Sequence, residues 1–408
     1  MHITESAALP PRAVNRRFRV VPISNTARTT LLFAASTAIG GAGWSGRPAL
    51  NCLALLFPFL YLQTRRRLDT VCALLYYAAA TWMVIPGAQS FFQTGRNPVL
   101  PFLIWIVLVA LSAAPWLLFY NRQWVELSAV AALTILALPP LSLVTVAHPL
   151  IAAGRWFPGT RWFGMGLPII LIGAYRRFGP YMTIAILISA SIVTHARFVR
   201  PISDPHIVAV NTAFDGQPGQ DDFGSVLEGQ EQKIQRIALS HPDTLLIFPE
   251  SVIPAWNSMY EARWAPTFAQ LKQQHTGLLM GTTIPIPNTE ANRNVLLSRG
   301  FTERLSYVER VPVPLGMWRL GDEHKGFPLM LHFPPAIRVW NRRAGVLMCY
   351  EQLIFWPAVQ TLARQPDMLL APSNVYWASG TTIPAIQHVA AQDWADLWAI
   401  PLYEASNR

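Results

Sequence analysis

The chain has 408 residues, of which 52% are hydrophobic and only 13% charged, a balance that excludes a wholly soluble globular protein. A formal net charge of +10 points to nucleic acid or an anionic membrane surface. Much of it, however, is arginine at the ends of apolar blocks, so direct nucleic-acid binding is not expected. The three cysteines, Cys52, Cys72 and Cys349, exclude a disulfide framework for the C-terminal half. Their spacing is not that of a metal site, and no cofactor is implied.

In chain order, a basic N-terminal segment over 1–28 holds Arg16, Arg17 and Arg19. Residues 29–199 then alternate apolar blocks with short arginine-bearing loops. About 20 apolar residues cross a bilayer as helix, and candidate spans fall at 29–45, 48–63, 69–88, 98–120, 125–148, 162–175 and 179–197, six or seven in all. The first block also fits a signal peptide, and the sixth is short enough to be re-entrant. Arg65, Arg66, Arg67, Arg122, Arg176 and Arg177 share one side with the N-terminal cluster if every block spans. The positive-inside rule makes that side cytoplasmic. The expected location is therefore the inner membrane, multi-pass, with residues 200–408 on the periplasmic side. The loop 147–164, with Trp156 and Trp162, falls on that outer side, either as an aromatic belt or as a contact for the C-terminal domain.

From residue 200 onward apolar runs alternate with helical patterns. Strands are expected at 206–214, 244–251, 277–284, 344–349 and 367–373, helices at 225–240, 263–275, 354–364 and 383–399, and an antiparallel pair from NVLLSRG and LSYVERV. This is the pattern of an α/β sheet covered by helices, with reactive residues where strands end. Three strand ends carry such side chains: Glu250 in LLIFPE, Cys349 in GVLMC, and Ser373 with Asn374 in LLAPSN. A glutamate beside an apolar strand is hard to bury unpaired. A thiol at a turn into a helix has backbone N–H groups at hand. Cys349 reads either as a nucleophile or as a small buried residue. His324 and His388 read as structural or surface residues, and Trp377 divides between packing and substrate recognition.

FPES at 248–251, CYE at 349–351, and PSNVYW at 372–377 followed by IQH at 386–388 resemble the motifs of the carbon–nitrogen hydrolase (nitrilase) superfamily. The spans ahead of the domain resemble apolipoprotein N-acyltransferase-like proteins. The resemblance implies an αββα sandwich, Cys349 as a thioester-forming nucleophile, Glu250 as general base, Glu351 and Asn374 as supporting residues, a phospholipid acyl donor and an amine acceptor. Membrane lipids are then partners.

The chain departs from the family at the lysine expected four residues before VPLGM, Val313–Met317, where Glu309 stands. Only Lys233, Lys272 and Lys325 are present in the chain. Arg310 is the expected substitute, and Lys325 the other candidate near in sequence. The family's next glutamate is replaced by Met317, and the chain ends in YEASNR where the family continues, so the last layer is expected to be incomplete. These departures fit plasmid conjugal-transfer relatives of the same build, with other transfer proteins as partners. Two functions stand: acyl transfer or amide chemistry through Cys349, and a non-catalytic membrane scaffold of a transfer system.

Overall fold

The computed structural model describes residues 24–214, 223–300, 306–318, 321 and 324–408. Arg16, Arg17, Arg19 and most of the N-terminal segment lie outside them. Among the described residues ten strands form two sheets. The first holds β1 (Ile207–Ala209), β2 (Leu245–Ile247), β3 (Gly277–Pro285), β4 (Glu290–Gly300) and β5 (Tyr307–Val308) in that order, with β6 (Lys325–Gly326) beside β4. The second runs β10 (Leu402–Asn407), β9 (Met368–Asn374), β8 (Arg342–Val346), β7 (Ala336–Val339). β1, β2 and β3 are parallel, as are β8, β9 and β10, while β3–β4–β5 and β7–β8 are antiparallel.

The composition of the strands explains the layering. β2 and most of β9 are uninterrupted apolar runs, as strands covered on both faces must be. Leu245, Ile247, Leu296, Val346, Leu370 and Ala405 fill the space between the sheets. The helices Phe223–Leu239 and Ser258–Gln273 cover the outer face of the first sheet through Ile234, Trp264 and Leu271. The helices Phe355–Ala363 and Ile383–Trp398 cover the second through Ala358, Leu362, Trp394 and Leu397. The result is a four-layer αββα sandwich.

The N-terminal half is helical, and it differs from the expected row of spans. Among the described residues two helices are long and apolar enough to cross a membrane, Val99–Leu118 and Tyr175–Arg197, and the bent pair Arg67–Thr81 and Val84–Phe91 makes a third if taken as one span. Block 48–63 is three short pieces, Pro48–Asn51, Cys52–Leu56 and Phe57–Tyr61. Block 125–148 stops at Ala137 because Pro139 and Pro140 follow, and proline removes a helix hydrogen bond and restricts the residue before it. Small residues let the helices close. A Cβ on Gly40 would lie 2.3 Å from the carbonyl oxygen of Tyr76.

The two halves share one apolar core. The loop carrying Trp156 and Trp162 docks on the helix Ile383–Trp398: Trp162 meets Trp398 edge-on at 4.9 Å. The N–H groups of Gly159 and Arg161 each donate over 2.8 Å to the carbonyls of Asp396 and Leu397. Arg155 pairs with buried Asp393 at 3.2 Å, to which Asn51 also donates.

Candidate active site

The parallel strands deliver three residues to one point from opposite sheets. Glu250 follows β2 in the first sheet; Cys349 follows β8 and Asn374 closes β9 in the second. Glu250 can approach because it crosses β3 at Gly281, where a Cβ would stand 2.4 Å from the Glu250 Cα. Cys349 opens a tight turn with φ at +45°, a left-handed conformation that costs energy for a non-glycine residue and concentrates at functional sites.

Glu250, Cys349, Asn294 and Glu309 are buried and Asn374 is half-buried, so their partners decide their state. Glu250 accepts from Asn294 Nδ2 at 2.7 Å and from the Asn374 backbone N–H at 3.1 Å. Burial pushes the Glu250 carboxyl up, and the neighbouring Cys349 thiol and these two donors oppose the shift. Burial, then the charges of Glu250 and Glu309, hold the Cys349 thiol well above its ordinary range. The resting sulfur is therefore a thiol, with the Glu250 carboxyl close enough for each to shift the other.

Glu309 sits inside this cluster. It follows β5, whose register against β4 brings its N–H to the Asn294 carbonyl at 2.8 Å and its Oε2 to Asn294 Nδ2 at 2.8 Å. One amide thus bridges two buried carboxyls. Burial first, and then the charges of Glu250 and Glu351, push Glu309 well above the usual carboxylate range.

Arg310, expected as the substitute cation, is placed elsewhere. Its Nε lies 3.2 Å from Glu351 Oε1 and 3.0 Å from the Tyr307 hydroxyl, and its Nη2 donates to Thr361 Oγ1 at 2.9 Å. Neighbours on an extended chain point opposite ways. With Glu309 turned to Asn294, Arg310 faces the underside of the turn that carries Cys349. Glu351 accepts there from the N–H groups of Met348 and Arg310, both at 3.0 Å, and so ties that turn to the β5 strand end. Lys325 pairs with Glu290 at 3.5 Å at the exposed β4–β6 edge.

Beside Cys349 opens a cavity of about 340 Å³. Its wall runs from the helices Val84–Phe91 and Val99–Leu118 (Ala88, Phe91, Leu108, Leu111) across to Val313, Leu353 and Trp377 of the sandwich. Gln387 is on it as well, donating to the Cys349 carbonyl at 2.8 Å. Such apolar space with few polar groups is the usual form of a small-molecule site.

No family model matches the chain. Over 407 residues it is 31% identical to the probable conjugal transfer protein TraB of Sinorhizobium fredii, covering 92% of this chain and 97% of that protein. Over 401 residues it is 30% identical to the conjugal transfer protein TraB of Agrobacterium fabrum, covering 93% of each. The chain belongs to the TraB family of conjugal transfer proteins. Solved structures similar to it include a carbon–nitrogen hydrolase from Helicobacter pylori G27, with a TM-score of 0.36, 15% identity, and 49% of this chain and 72% of that one covered. An amidase from Nesterenkonia gives 0.33, 18%, and 51% and 78%.

In this TraB-family chain the structure thus brings Glu250, Cys349 and the Asn374 backbone together and sets Glu351 beneath them. The Asn374 side chain turns to Asn407, whose Nδ2 donates to its Oδ1 at 3.0 Å. Ser373 bonds Ser406 at 3.0 Å, and His388 pairs with Glu404 at 2.5 Å, half-exposed, with Glu404 raising its pKa. Sequence reasoning missed Asn294 and Gln387. Both left a signal: Asn294 shares a strand face with Leu296, and Gln387 a helix face with Ile383, Ala391 and Trp394, so each is a polar residue on an inward stripe.

Proposed function

We propose that this protein is a membrane-bound member of a conjugal transfer system that forms a thioester at Cys349 with an acyl group drawn from lipid. The observation that carries this is the apolar cavity, shared between the sandwich and a helix long enough to span a bilayer, Val99–Leu118, with a thiol on its wall and the Glu250 carboxyl beside that thiol. In the reaction, Glu250 takes the thiol proton as the sulfur attacks the acyl carbonyl. The alcohol leaves with the proton returned by Glu250, and an amine or water then attacks the thioester, losing its own proton to Glu250. Residues 200–408 form the catalytic domain on the periplasmic face of the inner membrane, and the helical half anchors it. Other transfer proteins are the natural recipients or neighbours, and nucleic acid is not bound directly.

The test is intact-mass analysis of the detergent-solubilised full chain after incubation with phosphatidylethanolamine vesicles and with p-nitrophenyl palmitate. An acyl adduct that maps to Cys349 and is absent from Cys349→Ala supports the reading; no adduct with either donor overturns it.

A second reading, a non-catalytic scaffold, is favoured by Glu309 and by the commitment of Arg310 to Glu351, which leave two carboxyls and, among the described residues, no cation beside the thiol. Loss of plasmid transfer in a folded Cys349→Ala strain would exclude it.

A further inference from the structure

Attack of the Cys349 sulfur on an acyl carbonyl puts negative charge on the carbonyl oxygen, which needs a preorganised donor. The nearby cations are engaged elsewhere, Arg310 with Glu351 and Lys325 with Glu290. The charges that bear on the thiol are instead those of two buried carboxyls, and two carboxyls sharing one site do not both ionise. Their partners decide which keeps the proton. Glu250 has two donors, Asn294 and the Asn374 N–H, with the Cys349 thiol beside it. Glu309 has Asn294 on Oε2, while its Oε1 is buried with no hydrogen-bond partner, in a residue only 1% exposed. An unpartnered buried carboxylate oxygen, carrying charge, costs far more than a neutral carboxylic acid whose O–H awaits a substrate oxygen.

We propose that Glu309 acts as a neutral acid and donates a hydrogen bond, through the oxygen that has no protein partner, to the acyl oxygen as Cys349 attacks. The proposal rests on the acyl-transfer reading above. The atoms balance without moving the Glu309 proton. The thiol proton goes to Glu250, the S–C bond forms, and the carbonyl electron pair moves to oxygen and is held by the Glu309 O–H. Collapse then restores the carbonyl and expels the alcohol with the Glu250 proton. Glu309 is close enough to the thiol for its charge to bear on it, and a carboxylic acid kept neutral by an apolar site is a known form of oxyanion donor. Asn294, which touches both carboxyls, positions the pair.

The experiment follows acylation of the full chain in detergent by p-nitrophenyl palmitate across pH, for wild type, Glu309→Gln and Glu309→Ala. Gln keeps a donor of similar shape, so its rate should stay within about tenfold of wild type, while Ala should lose about a hundredfold to a thousandfold. Wild-type acylation should fall at alkaline pH as Glu309 ionises, and that limb should vanish in Glu309→Gln. Independently of turnover, the infrared difference between wild type and Glu309→Gln at neutral pH should contain a protonated-carboxyl C=O band. A Gln variant as slow as Ala, an unmoved alkaline limb, or no such band overturns the role of Glu309 while wild-type acylation stands. No acylation of wild type overturns the acyl-transfer reading and this role with it.

Discussion

Arg310 Nε stands 3.2 Å from Glu351 Oε1, and neither side chain has any solvent exposure. The pair joins the strand end that carries Glu309 to the turn that carries Cys349. It therefore sets the spacing of the site from below. A buried pair of this kind is weak as a source of net stability, but removing one partner strands a charge. Arg310→Met should lower the unfolding free energy by about 3–5 kcal/mol. Adding Glu351→Gln should restore at least half of that loss, because the stranded charge disappears. Urea unfolding of the detergent-solubilised chain measures both, and a double variant as damaged as the sum of the singles refutes the pairing.

This pair also shows where sequence reasoning stopped. The alternation of apolar runs and helical stripes gave an α/β sheet covered by helices, the family resemblance gave the sandwich, and the strand ends gave Glu250, Cys349 and Asn374, because a parallel strand buried on both faces announces its own limits. At Glu309 and Arg310 the chain reads as an acid beside a base, and nothing local says which one turns inward. That choice is made by the β4–β5 register, which sets Asn294 beside Glu309, a long-range fact. The cavity was equally hidden, since its two walls come from halves of the chain some two hundred residues apart. The helical half was misjudged where Pro139 and Pro140 cut an apolar block that hydropathy alone would carry on to residue 148.

A second prediction concerns the junction of the two halves. Asp393 is fully buried, and burial raises its pKa from 3.8 to about 8 despite the Arg155 charge. The folded state thus holds a proton that the unfolded chain releases near pH 4. Between those two values the native state binds more protons than the unfolded one, so stability falls as pH rises through that window. Thermal unfolding in detergent from pH 5 to pH 8 should show a falling midpoint in wild type, and Asp393→Asn should flatten the slope. A slope unchanged in Asp393→Asn would assign it to another group.

The last prediction asks what the cavity is for. If it holds an acyl chain, each methylene buried contributes about 0.8 kcal/mol, roughly fourfold in affinity, so chain length should govern acylation of Cys349 steeply. With p-nitrophenyl esters, the apparent rate per unit substrate should rise from acetate through octanoate to palmitate in wild type. Leu111 of the helix Val99–Leu118 and Val313 of the sandwich face each other's halves across this space. Replacing Leu111 or Val313 by Phe fills it from one side or the other without touching Glu250, Asn294 or Glu309. Each variant should lose the palmitate and octanoate advantage by tenfold or more while acetate still acylates the thiol, a result that also shows the site is folded. An equal loss for all three esters would mean the substitution damaged the site itself, and no loss for any would mean the acyl chain lies elsewhere.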